Sequence, residues 1–207
     1  MSAFDWIAAC IVILSMFYLT FILTVPEWMA ALRKGQAVGL LPERKGGKQP
    51  LWIQIAILIV GLLLCVPLFY YGWVPLIKLS PAAKQFASVL GLLIFILGIS
   101  FLLWARHTLG KNWGISTSLQ AKLHNDHELI QDGPYALVRH PIYLGAWIFM
   151  LGLLLLYPMW VILILAVSMV LSFSMRARRE EAVLEQRFGS VWVEYRKRTK
   201  RIIPFIY

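Results

Sequence analysis

The feature that most constrains the fold is the long apolar tract from Pro141 to Phe173. As one straight helix it would be about 50 Å long, whereas the hydrocarbon core of a bilayer is about 30 Å thick. Tyr157 and Pro158 interrupt the tract midway, and a proline inside a helical pattern breaks or kinks the helix. The tract therefore predicts a helical hairpin with arms at Ile142–Tyr157 and Met159–Phe173.

Three further apolar runs precede this hairpin, at Trp6–Leu32, Leu51–Tyr71 and Phe86–Trp104. The chain is 60% hydrophobic, above the roughly 45–50% that is usual in soluble domains. We expect an all-α integral membrane protein with about five transmembrane helices, folded as a single domain over residues 1–207. Residues 1–104 would hold three spans, and residues 105–207 a polar loop, the hairpin and a C-terminal helix.

The first span is expected to stay in the protein, because the residues before it are not basic and no small-residue cleavage site follows. The two cysteines, Cys10 and Cys65, both lie inside apolar runs. We expect them to pack in the interior and not to form a disulfide framework or a metal motif.

The basic residues are distributed unevenly along a chain of net charge +10. All of them except Lys78 and Lys84 fall in segments that five spans would place on one side of the membrane. The positive-inside rule makes that side cytoplasmic, with the N-terminus outside and the C-terminus inside. No basic and aromatic face is continuous enough to follow a phosphate backbone, so no nucleic-acid partner is expected.

The segment from Ser174 to Tyr207 predicts an amphipathic helix that continues the last span and ends at Pro204. Its apolar residues recur at helical spacing, at Ala177, Leu184, Phe188, Val191 and Tyr195.

Polar residues cluster beside the apolar tract in the loop before it and in the tail after it. Arg139 and His140 directly precede Pro141, and polar groups at the end of a membrane helix suggest function. Arg176 and Glu180 are i,i+4 neighbours, while Glu180 and Glu181 point about 100° apart on a helix. One glutamate could face a cationic ligand while the other pairs with arginine, although a solvated face of ordinary ion pairs remains the alternative.

The histidines are candidate metal ligands by residue type. The spacing of His124, His127 and His140 lacks a convincing scaffold, so no metal site is expected.

These two segments resemble the isoprenylcysteine carboxyl methyltransferase family, in its broad bacterial form, which is related to the phospholipid methyltransferases. In the loop the resemblance rests on His127-Glu-Leu-Ile-Gln-Asp-Gly-Pro-Tyr135 and Val138-Arg-His-Pro-Ile-Tyr143-Leu-Gly145. In the tail it rests on Glu180-Glu-Ala-Val-Leu-Glu-Gln-Arg-Phe-Gly189, Trp192-Val-Glu-Tyr195 and Arg201-Ile-Ile-Pro204. It covers roughly the C-terminal half of the chain.

The resemblance implies S-adenosylmethionine as methyl donor, bound in a cytoplasmic pocket between loop and tail, and a bacterial inner membrane as location. It implies a lipidic or amphipathic methyl acceptor and contact with membrane lipid, and leaves the oligomeric state unknown. Arg176 would orient an acceptor carboxylate, or Glu180 would accept the proton of an acceptor amine, so these two are the implied catalytic residues. The implied cofactor-binding residues are His127, Leu129, Tyr135, Arg139, His140, Tyr143 and Glu181. Trp147 fits an interfacial aromatic belt better than a cofactor contact.

Two other functions remain open. The ending Arg201-Ile-Ile-Pro-Phe-Ile-Tyr207 also resembles NADPH-dependent membrane reductases of the sterol or enoyl type. Five spans are few for that group, and no glycine-rich dinucleotide loop is present. A non-catalytic membrane binding protein would explain the basic faces without a convergent polar site.

Overall fold

The structure is a computed structural model that describes residues 3–26, 71–112 and 128–206, with single residues at 29, 52, 56, 59, 60 and 63. Within these residues the chain is helical and contains no β-strand. The helices are α1 (Ala3–Phe17), α2 (Pro81–Leu109), α3 (Pro141–Leu156), α4 (Trp160–Phe188) and α5 (Ser190–Arg198). The predicted span Leu51–Tyr71, apart from isolated residues, and the residues Cys65, His124 and His127 lie outside the described residues.

Helices long and apolar enough to cross a membrane are present on both sides of the chain's midpoint. Among the described residues they are Ala3–Thr24, Pro81–Leu109 and Trp160–Phe188, and the apolar helix Pro141–Leu156 is shorter. This confirms the all-α, multi-span membrane architecture expected from the sequence.

Helix α1 continues into a wider π-helical segment at Tyr18–Thr24, where the Thr24 hydroxyl donates a hydrogen bond to the Leu19 carbonyl oxygen at 2.7 Å. The expectation that Cys10 is packed in the interior is wrong, because its side chain is exposed. An apolar face of a membrane helix can point to lipid as well as to protein, and hydropathy alone does not separate the two.

Helix α2 is longer than the predicted span at both ends. The Ser80 hydroxyl caps it by accepting a hydrogen bond from the Ala83 amide at 3.3 Å, and Pro81 occupies the first turn. Gly110 ends it with φ +51. The polar residues at its ends, such as Lys84 and Arg106, therefore belong to the same helix as the apolar run.

Helices α2 and α3 pack with their backbones in contact at four glycines. A Cβ atom on Gly98 would lie 2.2 Å from the Phe149 amide nitrogen, and one on Gly152 would lie 2.3 Å from the Phe95 amide nitrogen. Both approaches are shorter than any side chain tolerates, so only glycine fits. The four glycines repeat seven residues apart on each helix, at Gly91 and Gly98 and at Gly145 and Gly152.

The predicted break of the apolar tract at Pro158 is confirmed. Helix α3 ends at Leu156, and α4 begins at Trp160. The loop before α2 stabilises this turn through backbone hydrogen bonds. The Leu76 amide donates to the Pro158 carbonyl oxygen at 2.8 Å, and the Val161 amide donates to the Gly72 carbonyl oxygen at 3.0 Å.

The predicted helical extension beyond the last span is confirmed as far as Phe188, but its predicted end at Pro204 is wrong. Gly189 adopts φ +52, breaks the helix, and starts α5, which ends at Arg198. The break resets the helical phase: Trp192 and Tyr195 are buried in α5, whereas Val191 is exposed.

Candidate functional site

The loop before α3 and the tail after α5 lie side by side and share backbone hydrogen bonds. The Arg139 amide donates to the Lys200 carbonyl oxygen and the His140 amide to the Arg201 carbonyl oxygen, both at 2.9 Å. The buried Tyr195 hydroxyl donates to the Tyr135 carbonyl oxygen at 2.7 Å. The chain thus brings together the two segments that the sequence singled out.

A buried ion cluster of Arg139, Glu181 and Arg201, here called the clasp, joins loop, helix α4 and tail. Arg139 Nε donates to Glu181 Oε1 at 2.8 Å, and Arg201 donates to Oε2 from Nε at 2.9 Å and from Nη2 at 2.7 Å. The Arg139 and Glu181 side chains are 7% and 8% exposed. Arg139 Nη1 also donates to the Thr199 carbonyl oxygen. Both carboxylate oxygens of Glu181 are therefore already used within the protein.

The neighbouring Glu180 is the centre of a second set of contacts, here called the Glu180 cluster, formed with Tyr143, Arg176 and His140. Tyr143 Oη donates to Glu180 Oε1 at 2.7 Å, and Arg176 Nε donates to the same oxygen at 3.2 Å. His140 Nδ1 lies 3.4 Å from Glu180 Oε2. The His140 and Tyr143 rings stack with centroids 5.3 Å apart. The adjacent glutamates thus serve two different clusters, as their angular offset on a helix predicts.

Several buried side-chain nitrogens near these clusters have no hydrogen-bond partner among the described residues. His140 Nε2 and Arg176 Nη2 belong to the Glu180 cluster, and Trp147 lies one turn after Tyr143 on α3. His140 Nε2 is 3.5 Å from Glu181 Oε1 but lacks hydrogen-bond geometry. Buried donors left unpaired cost free energy, so an acceptor from a ligand or from water would stabilise them.

Burial and charge shift the ionisation of the groups around the site. Burial alone would lower the pKa of His140, but the carboxylates of Glu180 and Glu181 beside its ring outweigh burial and raise the pKa. Burial raises the pKa of Tyr135 and of Tyr195, so both hydroxyls keep their protons at neutral pH. Tyr195 can therefore act as a permanent hydrogen-bond donor to the loop.

An open cavity of about 460 Å³ lies between the loop and the end of α5. Its volume is within the roughly 300–1,000 Å³ typical of small-molecule sites. It is lined by Leu129, Gln131, Asp132, Ala136, Tyr195, Arg198 and Thr199.

Eight of the nine candidate site residues are described, and the structure places them around this junction. Leu129 lines the cavity, the Tyr135 carbonyl oxygen accepts from Tyr195, and the other six form the clasp and the Glu180 cluster. His127 lies outside the described residues.

Sequence reasoning missed the role of Arg201 as the second partner of Glu181 and the buried indole nitrogen of Trp147. Arg201 lies in the tail motif Arg201-Ile-Ile-Pro204, so its position in the sequence is a usable signal. The indole nitrogen of Trp147 is buried within the protein, and the interfacial aromatic belt expected for its ring stays a prediction.

Comparisons with known proteins match the same part of the chain. Residues 86–191 match the model of the family described as phospholipid methyltransferase. The protein-S-isoprenylcysteine O-methyltransferase of Saccharomyces cerevisiae is 36% identical over 60% of this chain and 52% of its own length. The Homo sapiens protein of the same name is 34% identical over 61% of this chain and 45% of its own length.

Among solved structures, the eukaryotic intramembrane Ras methyltransferase named isoprenylcysteine carboxyl methyltransferase is similar, with a TM-score of 0.53 and 27% identity. The match covers 76% of this chain and 55% of that one. The chain spans about half the length of these curated relatives. The matches favour the methyltransferase hypothesis over the reductase alternative.

Proposed function

The chain belongs to the phospholipid methyltransferase family, and we propose that it transfers a methyl group from S-adenosylmethionine to a carboxylate on a lipidic or amphipathic acceptor. Relatives named as isoprenylcysteine O-methyltransferases support a prenylated cysteine as the acceptor. The family's name equally suggests a lipid amine, so the geometry of the site has to decide between the two acceptor types.

The observation that carries the proposal is the state of Arg176 and Glu180. Glu180 Oε1 accepts hydrogen bonds from Tyr143 and Arg176, and Oε2 faces His140, so this carboxylate has little capacity left to take a proton from an amine. Arg176 Nη2 is buried and unpaired among the described residues. A guanidinium held by Glu180 through Nε, with Nη2 free, suits a carboxylate ligand. Arg176 would then orient the acceptor oxygen, which is a proximity effect.

The residues at the junction fit the proposed methyl donor. When bound, S-adenosylmethionine supplies a methyl group on a positively charged sulfur, which leaves as a neutral thioether. The negative charge of Glu180 and the aromatic ring of Tyr143 beside it suit a cationic group. His140 Nε2 is a buried atom that lacks a partner, as expected of a group that binds a polar ligand. Leu129, Tyr135 and His127 would complete the donor site from the loop.

The clasp would act by position and not by contact with the reacting atoms. Glu181 has both oxygens engaged by arginines, and Arg139 is also engaged by backbone carbonyl oxygens of the tail. We assign Arg139 and Glu181 to holding the tail on the loop, in place of direct contact with the donor. Closing this junction would exclude water from the region in which charge is neutralised.

The distribution of basic residues supports an orientation with the N-terminus outside and the C-terminus in the cytoplasm. In that orientation the junction of loop and tail opens toward the cytoplasm. A water-soluble donor would enter from there, and the acceptor from the bilayer. Residues 1–207 would work as one domain.

The proposal is tested by incubating the purified protein in nanodiscs with methyl-labelled S-adenosylmethionine and three acceptors. These are an S-prenylated cysteine with a free carboxylate, the same compound as its carboxamide, and a phosphatidylethanolamine. We expect label only in the first. Label in the lipid amine would overturn the acceptor assignment, and protection against thermal unfolding by NADPH but not by S-adenosylhomocysteine would overturn the reaction class.

A further inference from the structure

The tail carries a surface that the proposed reaction does not use. Helix α5 starts at Gly189 and returns along α4. From Glu181 to Gly189, α4 advances about 12 Å, and the nine residues of α5 cover about 13 Å in return. The contact of Arg139 with both Glu181 and Thr199 agrees with this, since it places the end of α5 level with Glu181. The end of α5 therefore lies close to the membrane boundary and not far out in solution.

The exposed charges on this returning segment are almost all of one sign. Between Ser190 and Ile206 the exposed anion is Glu194, whereas the exposed cations are Arg196, Lys197, Arg198 and Lys200. Arg198 lines the cavity and donates to the Gln131 side-chain oxygen, so the basic surface is formed by the other three. Arg196 has a half-exposed partner in Glu185 at 3.5 Å, which is too weak to neutralise the surface.

An apolar tip continues this surface toward the bilayer. Ile202 is fully buried against Tyr143 and Ala177, which fixes the tail at the level where α3 begins. The next residues turn outward: Phe205 is 93% exposed and Ile206 is 78% exposed. Phe205 also adopts φ +66, which is unusual for a residue other than glycine. A large aromatic side chain held outward at the membrane boundary needs an apolar environment that the described protein does not provide.

We propose that the basic surface and the apolar tip of Phe205 and Ile206 bind the anionic lipid headgroups of the membrane that the protein spans. Cations beside exposed apolar side chains at headgroup level are the combination that binds such a surface. Because the same tail carries Arg201 and the Thr199 carbonyl oxygen, binding of anionic lipid would hold the clasp closed. The inference goes beyond methyl transfer and does not depend on it.

The test is hydrogen exchange in the tail peptide covering residues 199–206, with the full chain in nanodiscs of phosphatidylcholine alone or with phosphatidylglycerol. We expect exchange at least about fivefold slower in the anionic nanodiscs. The difference should vanish in the double variant Lys197→Gln/Lys200→Gln and shrink in Phe205→Ser/Ile206→Ser. The matched control Lys78→Gln/Lys84→Gln, at the opposite end of the spans, should keep the full difference.

Equal exchange of the wild type in both lipids would overturn the inference. So would a lipid effect that survives in the Lys197/Lys200 variant. Protection that rises with protein concentration in lipid-free detergent would assign the surface to a second copy of the chain instead. None of these readouts depends on methyl transfer, so failure here and failure of the proposed function are distinguishable.

Discussion

Replacing Glu181 by glutamine should release the tail from the loop. The carboxylate accepts three hydrogen bonds from Arg139 and Arg201, and its side chain is 8% exposed. Removing one partner of a buried ion pair costs about 3–5 kcal/mol, because the other charge stays buried and unpaired. Arg201 is 21% exposed and can rehydrate, so we expect the lower end, about 3 kcal/mol. That corresponds to tail opening that is on the order of 100-fold more frequent.

Hydrogen exchange of the Arg139 and His140 amides measures this opening directly, since both donate to the tail. The control is Glu185→Gln, one turn further along α4, where the carboxylate is 48% exposed and its arginine partner is 3.5 Å away. That change should cost less than about 1 kcal/mol. If the Glu181→Gln and Glu185→Gln variants exchange alike at these two amides, the clasp does not hold the tail on the loop.

Three further outcomes are expected. Arg176→Ala should lower turnover on a carboxylate acceptor about 100-fold and leave the affinity for S-adenosylhomocysteine unchanged. The control Arg178→Ala, on the exposed side of α4, should change neither turnover nor affinity. Loss of affinity in Arg176→Ala would place Arg176 in the donor site. Gly98→Ala should destabilise the protein in detergent by about 1–3 kcal/mol, because the added Cβ would meet the Phe149 backbone. The control Ser100→Ala, at an exposed position, should not change stability. Equal unfolding midpoints for the two variants would disprove the backbone contact. Because the pKa of His140 is raised in the folded state, its contribution to stability is complete below its ordinary value of 6.5 and is lost as pH rises through the raised pKa. Melting temperatures between pH 5.5 and 9 should show this decline in wild type, and a decline of the same size in His140→Gln would argue against it.

The sequence predicted the helices well where a single residue controls the backbone. Pro158 separates α3 from α4 as expected, because proline cannot continue the helix. Gly189 likewise controls where α5 begins. A single glycine inside an amphipathic pattern is often tolerated, so the apolar spacing alone predicted one continuous helix across Gly189. The phase of α5 was consequently misjudged at Val191.

The structure brings the candidate site residues together as the sequence predicts, and their role in a site stays a prediction; the sequence did not predict which of them pair. The pairing of Arg139 and His140 with Glu180 and Glu181 follows from polar residues at the ends of adjacent spans. Which glutamate contacts which arginine depends on the path of the tail, because Arg201 reaches Glu181 only after α5 has reversed direction. That reversal depends on tertiary packing, and the spacing of residues along the chain does not predict it.

The backbone contact between α2 and α3 also decides which half of the site can move. With glycines at each crossing point, these two helices have no side-chain layer that would allow one to slide or rotate past the other. His140 and Tyr143 lie at the start of α3, so the packing of α3 on α2 fixes their position. Any rearrangement of the candidate site would therefore involve the opposite side, formed by the outer turns of α4 and by α5, while the α3 side keeps its position.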